Sequence, residues 1–244
     1  MKRGKKNRKG THVGMILSFV IFITFVVFLY MVVNPIINTG EDKKATLDYL
    51  RTKIIENVTA EFISASIQLN SSNPFSTSKN CIILEGFLAS TEMYYPNIII
   101  QDKNGYIQEA YADFANLKIN RLNKDFLFFR AYYSPEFNAL GDNPSLSCYT
   151  LKDYSGSVKA DKYIFEKNMY EFIDLYRNNY ENLKTQLKIP TENEFGFAFI
   201  QRNGTKIEVS QEITSKNVYA DEIPIQYVNN NSNIVTGFMN IKIW

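Results

Sequence analysis

Between Val13 and Val33 the chain carries no charged residue for 21 positions, and the run follows six lysines and arginines packed into the first nine residues. At 1.5 Å per residue such a helix is about 31 Å long, the thickness of a bilayer's hydrocarbon core. Only Gly14, Ser18, Thr24 and Tyr30 interrupt its aliphatic and phenylalanine content. Ser and Thr can bond back to helix carbonyls, and Tyr30 falls where an aromatic sits at headgroup level. A helix apolar all round needs an apolar environment on every side. A secretory signal has a shorter apolar region and a small-residue cleavage site, whereas this segment runs into Asn34-Pro35. Residues 13–33 are therefore expected to be a retained transmembrane helix.

Charge sets the orientation. Lys2, Arg3, Lys5, Lys6, Arg8 and Lys9 precede the span, and Glu41 and Asp42 are the first charges beyond it. The positive-inside rule then keeps residues 1–12 in the cytoplasm and sends the C-terminal domain out of the cell membrane. The tail also dominates the charge balance. Of 27 Lys and Arg six lie in it, leaving 21 against 25 Asp and Glu beyond Gly40, a net −4. The outer domain thus offers no basic field, and nucleic acid is not an expected partner.

Beyond the span, Leu47, Leu50, Ile54 and Val58 recur at helical spacing. Pro35 and Gly40 fall between the two helical patterns, so residues 34–57 are expected to form an amphipathic stalk set off by a kink or short break. The period then changes to two. Ile63, Ala65, Ile67 and Leu69 alternate with Ser64, Ser66 and Gln68, the pattern of a half-buried strand. A polar loop is read over residues 70–80, followed by a strand in "CIILEGFL". Asn104-Gly105 and Asn203-Gly204 each join two strand-like runs and predict hairpins. "DFLFFRAYY" and "IVTGFMNIKIW" add further strands. One long helix is expected from about Lys162 to Lys188, with Met169, Ile173, Tyr176, Tyr180, Leu183 and Leu187 as its apolar stripe. The fold class is α+β: an antiparallel sheet domain over residues 58–244, packed with that helix.

The search for chemistry returns negatives. His12, at the cytoplasmic edge of the span, is the one histidine, so the outer domain can build no Ser-His-Asp or Cys-His pair and no histidine-containing metal site. Phosphate-cradling and dinucleotide-binding glycine motifs are absent. No catalytic residue, cofactor or metal ligand is assigned, and the expected role is binding or structural. Cys81 and Cys148 can either form a disulfide closing a long loop or stand as two buried thiols. Four N-x-S/T sequons, at Asn57, Asn70, Asn203 and Asn230, are close to the number chance supplies. The tyrosines of "MYYP" (93–96) and "AYYSPEF" (131–137) can stack sugars, although tyrosine in strand-forming sequence is more often part of a sheet face. An extracellular protein or a glycan is the class of outer partner considered, beside the lipid bilayer.

The junction "NRKG|THVGMILSFVIF" resembles the class III signal of archaeal type IV pilin-like proteins: a short basic leader, then Lys or Arg and Gly, then an apolar helix. The resemblance covers residues 5–35. It implies that a prepilin-type peptidase cuts between Gly10 and Thr11, with Lys9 before the scissile dipeptide. The product would keep its helix and pack against like subunits. The fifth position of that product, glutamate in bacterial pilins, is Met15 here. The segment "YENLKTQLKIPTENEFGFAF" is similar to segments of uncharacterised, singly anchored archaeal envelope proteins, a likeness that bears on location.

Overall fold

The computed structural model describes residues 10–72, 80–93, 96–113, 115–121, 127–138, 148–215 and 217–244. Lys9, most of the loop read over 70–80, and Tyr94 and Tyr95 lie outside the described residues.

Helix α1 (Gly10–Val58) has 49 residues, about 74 Å at the α-helical rise. Among the described residues it holds the one stretch long and apolar enough to cross a membrane, His12–Val32, with a mean hydropathy of 2.8 and none of it buried. Thr24 Oγ1 donates to the carbonyls of Val20 and Ile21, both at 2.9 Å, so its hydroxyl is satisfied without water. Of the kink or short break expected near Pro35 and Gly40, the break is absent, because α1 is helical throughout. Proline removes one donor from the ladder, and bonded turns on either side can carry the helix across that gap. From Leu47 on, the segment read as a stalk packs into the domain. Leu47, Leu50, Ile54 and Val58 are buried against the sheet and belong to its core.

Among the described residues, twelve strands form one mixed sheet. In chain order they are β1 (Thr59–Leu69), β2 (Cys81–Leu84), β3 (Ile98–Asp102), β4 (Ile107–Asp113), β5 (Asn116–Asn120), β6 (Phe128–Tyr133), β7 (Tyr149–Leu151), β8 (Tyr154–Phe165), β9 (Phe195–Ile200), β10 (Lys206–Ser210), β11 (Tyr219–Val228) and β12 (Ile234–Ile243). Across the sheet the order is β10-β9-β12-β11-β8-β1-β6-β3-β4-β5-β2-β7. The expected all-antiparallel sheet is corrected at two places: β11 runs parallel to β8, and β2 parallel to β7. The β8–β11 ladder is short, joining Tyr227 to Ile164 and Val228 to Phe165. Pro224 therefore lies where β11 has β12 alone as a neighbour, an edge-like position that tolerates a missing N–H.

The long helix is also corrected. Tyr163, Ile164 and Phe165 belong to β8, where Tyr163 and Ile164 pair with Ala60 and Thr59 of β1. Bulky aromatic and β-branched residues favour a strand once a partner is in place, and tertiary pairing overrides the helical period. The helix proper is two pieces, α3 (Glu166–Asn178) and α4 (Tyr180–Gln186), separated by Asn179 at φ −151°. The apolar stripe survives the break, with Met169, Ile173, Tyr176, Leu183 and Leu187 all buried. After α4, Ile189 N–H donates to Lys184 C=O and Lys188 N–H to Thr185 C=O, with Lys188 left-handed at φ 53°. That pattern is a Schellman stop, and Pro190 follows it. "CIILEGFL" is likewise divided: β2 ends at Leu84, and a short helix α2 (Phe87–Thr91) buries Phe87 and Leu88.

Two cores result. One lies under α1, α3 and α4 against β9 to β12; the other is enclosed by β1 to β7 and α2. Cys81, at the start of β2, and Cys148, beside β7, form a disulfide with Cα atoms 4.6 Å apart. Closing a loop with a sequence separation of 67 contributes about 4 kcal/mol in the chain-entropy account.

Candidate functional site

Three hairpin turns are built alike. In Asp102–Tyr106, Gln201–Thr205 and Asn229–Asn233 the first N–H donates to the fifth carbonyl, and the fourth N–H donates back to the first carbonyl, all at 2.9–3.0 Å. The fourth residue must be left-handed. Gly105 (φ 84°) and Gly204 (φ 85°) meet that need freely, but the third turn puts Ser232 there at φ 58°. A side chain in this region costs roughly 1–2 kcal/mol, so the turn requires compensation. Gln101 of β3 provides it: its Nε2 donates to Asn231 C=O at 2.7 Å and to Ser232 Oγ at 3.0 Å, and Ser232 is buried. A strained turn thereby ties the two halves of the sheet together.

The end of the molecule that bears this turn follows from register. Lys44, Leu47 and Asp48 of α1 lie beside Tyr219–Asp221 at the start of β11, and Arg51 pairs with Asp221 at 3.1 Å. Thr59, just past α1, is level with Ile164, which is level with Tyr227. α1 and β11 therefore run the same way, and the Asn229–Asn233 turn stands at the end farthest from the apolar span.

An open cleft of about 610 Å³ lies there, lined by Glu166, Gln201, Arg202, Asn203, Tyr227, Asn229, Asn233 and the edge of β12. Glu166 begins α3, residues 201–203 come from the β9–β10 turn, and Asn229 and Asn233 bracket the β11–β12 turn. Gln201 Nε2 donates to Glu166 Oε1 at 2.5 Å and to Tyr170 Oη at 2.9 Å, and Arg202 N–H donates to Tyr227 Oη at 3.4 Å. Partial burial, and then the nearby Glu166 carboxylate, raise the Tyr170 hydroxyl above its usual pKa. The lining is a set of amides and hydroxyls with one cation and one carboxylate, suited to a polar ligand rich in hydroxyls or peptide groups. Across the turn a smaller hollow of about 190 Å³ includes Glu136, Phe137, Phe165, Lys167, Val228 and Asn230. Phe137 and Phe165, which line it, belong to an aromatic cluster with Phe62, and Lys167 Nζ bonds Glu136 Oε2 at 3.4 Å on its wall.

A second polar group occupies the opposite end. Phe195 is level with Ile243, and Ile243 with Tyr219, so the start of β9 lies toward the span. Lys184 Nζ donates to Glu194 Oε1 at 2.7 Å and to Thr191 C=O at 3.0 Å, Tyr180 Oη bonds the other Glu194 oxygen, and Tyr176 Oη donates to Phe195 C=O at 2.5 Å. Burial alone would raise the Glu194 carboxyl, but hydrogen bonds from Lys184 and Tyr180 outweigh it and hold the group below its usual range. Burial pushes both tyrosine hydroxyls well up, and for Tyr180 the bond to Glu194 adds to the rise. With all partners satisfied internally, this network clamps α4 to β9.

Of the residues singled out in the sequence, Gly10 and Thr11 are the first two described residues of α1. Tyr132 stacks on Phe62 with ring centroids 5.5 Å apart, and Tyr133 is buried, so these tyrosines face the sheet's own core. Among the described residues no group of three or more His, Cys, Asp or Glu could hold a metal ion. The Asn-rich turn escaped sequence reasoning; its signal was a run of asparagines between two alternating strands, without the glycine that marks the other turns. No family model, curated protein or solved structure matches the chain.

Proposed function

We propose that this chain is a single-pass, membrane-anchored protein of the cell envelope. Its N-terminus lies in the cytoplasm, and its sheet domain stands outside, working by binding and not by catalysis. One observation carries the reading: a bare apolar helix of 21 residues is continuous with a helical segment that enters the domain's core. A spanning helix joined without a flexible linker holds the domain at a fixed attitude to the bilayer. The polar cleft beside Asn229–Asn233 then faces away from the membrane, where an extracellular protein or glycan would meet it. The test is protease treatment of intact cells, with a tag fused before Met1. The domain should be digested while the tag and span stay protected, and a domain that resists until the cells are lysed contradicts the topology. For the cleft, Arg202→Ala with Asn229→Ala should weaken glycan or peptide ligands about tenfold; unchanged binding moves recognition elsewhere.

The same continuity favours a second reading, a type IV pilin-like subunit. A rod of 49 residues, bare over His12–Val32 and packed on a sheet between Leu47 and Val58, is a shape that could leave the bilayer and pack helix to helix. In that reading the chain is cut between Gly10 and Thr11 by a prepilin-type peptidase and assembles with like subunits. A mature protein beginning at Thr11 would support it; an intact Met1 would rule it out.

A further inference from the structure

We infer that Asn203 is an acceptor for N-linked glycosylation, the one of the four sequons whose local structure presents it for modification. The inference rests on the outward topology proposed above. Asn203, Gly204 and Thr205 form the exposed tip of the β9–β10 hairpin, at the end away from the span. Asn203 Oδ1 accepts the Thr205 N–H at 2.9 Å, an Asx turn across the sequon itself. Its Nδ2 and the Thr205 hydroxyl make no hydrogen bond among the described residues. Gly204, at φ 85°, lets the chain turn tightly enough to bring the Thr205 N–H onto the Asn203 side chain.

The other sequons differ in ways that matter for transfer. Asn57 is in α1, and its Nδ2 is committed to Lys53 C=O at 2.8 Å. Asn230 depends on Ser232, whose hydroxyl is buried and bonded to Gln101 and to Asn231 C=O. Asn70 shares the Asx geometry, with Ser72 N–H at 2.9 Å, but has a further partner and ends on serine. A two-stranded hairpin forms in about 1–10 μs, so the Asn203 turn is available to a transferase before the whole domain has folded.

The co-reactant is an oligosaccharide activated on a lipid phosphate or pyrophosphate. The bond from its anomeric carbon to the phosphate oxygen breaks, and a new bond forms from that carbon to Asn203 Nδ2. The lipid phosphate leaves with the electron pair, and Nδ2 gives one proton to a base of the transferase. No electrons are exchanged with any redox partner.

The full chain is translated with endoplasmic-reticulum microsomes, which carry a lipid-pyrophosphate oligosaccharide, and protease is then added outside the vesicles. The expected result is a protected domain with a size shift of one oligosaccharide, lost in Asn203→Gln and Thr205→Val and retained in Thr205→Ser. Asn57→Gln and Asn230→Gln should leave the shift unchanged. A protected domain with no shift, or a shift unaltered by Asn203→Gln, overturns the inference and leaves the topology standing. A domain digested in sealed microsomes overturns both.

Discussion

In the helix-backed half of the sheet, Phe195, Phe197 and Phe199 of β9 are covered by the packed part of α1 and by α3 and α4. In the other half Ile82, Leu84, Leu117 and Ile119 are covered by neighbouring strands and the five-residue α2. Strand length differs as well: β11 and β12 have 10 residues each, whereas β2 has 4 and β7 has 3. Short strands make few ladder bonds, and a two-sided apolar cover is hard to build from them. The disulfide lies where that deficit is greatest, joining the start of β2 to the approach of the edge strand β7. One half is thus stabilised by burial under helices, and the other depends in part on a covalent restraint that persists in an oxidising compartment.

The largest way to break that comparison is in the helix-backed core. Phe197→Ala should cost about 3–5 kcal/mol, measured by denaturant unfolding in detergent, and should loosen α1 and α3 together in hydrogen exchange. Next comes Cys81→Ser with Cys148→Ser, expected to cost about 4 kcal/mol. Its exchange protection should fall first in β2, β5 and β7, with β9 to β12 little changed; uniform loss would mean the halves unfold as one. Gly237→Ala tests a close approach in β12, where an added Cβ would sit 2.5 Å from the Ile200 carbonyl oxygen. A shift of backbone is then forced, at about 1–3 kcal/mol. Gln101→Ala addresses the link between halves. It leaves the Ser232 turn strained and removes the two hydrogen bonds that Gln101 Nε2 gives it, at about 1–3 kcal/mol, and a double-mutant cycle with Ser232→Gly should show coupling.

The smallest effects are those of pH, and the largest of these shifts belong to Tyr176 and Tyr180 in the helix-backed half. Glu194 titrates below its unfolded value, so its contribution is complete above the ordinary glutamate range and fades as pH falls through the lowered folded value. Glu194→Gln should flatten the acid limb of a stability–pH curve. Tyr176 and Tyr180 are raised, so their contribution is full below the ordinary tyrosine value of 10.0 and is lost as pH climbs through the folded values. Tyr180→Phe should blunt that alkaline loss.

Much of this architecture was readable in the sequence where the signal was local. The alternation from Ile63 to Leu69 marks β1, and Asn104-Gly105 and Asn203-Gly204 mark two hairpins, because period and turn chemistry act over a few residues. The long helix was overextended because Tyr163 to Phe165 fit either period, and pairing with β1 across a hundred residues decides between them. The division of "CIILEGFL" into strand and helix was hidden for a related reason, since a continuous apolar run carries no period. The parallel contacts of β8 with β11 and of β2 with β7 are non-local and left no trace in composition. The cleft was invisible for the same reason. Glu166, Arg202 and Asn229 come from three separate segments, and the turn that frames it uses serine where the local rule expects glycine.

The central claim is that the apolar helix stays on the protein and holds a folded domain to the membrane. Extracting membranes first with alkaline carbonate and then with detergent, and taking the intact mass of the released protein, tests it most directly. The account predicts release by detergent alone, with a mass that includes residues 13–33. Release by carbonate, or a product that begins beyond Val33, would contradict it.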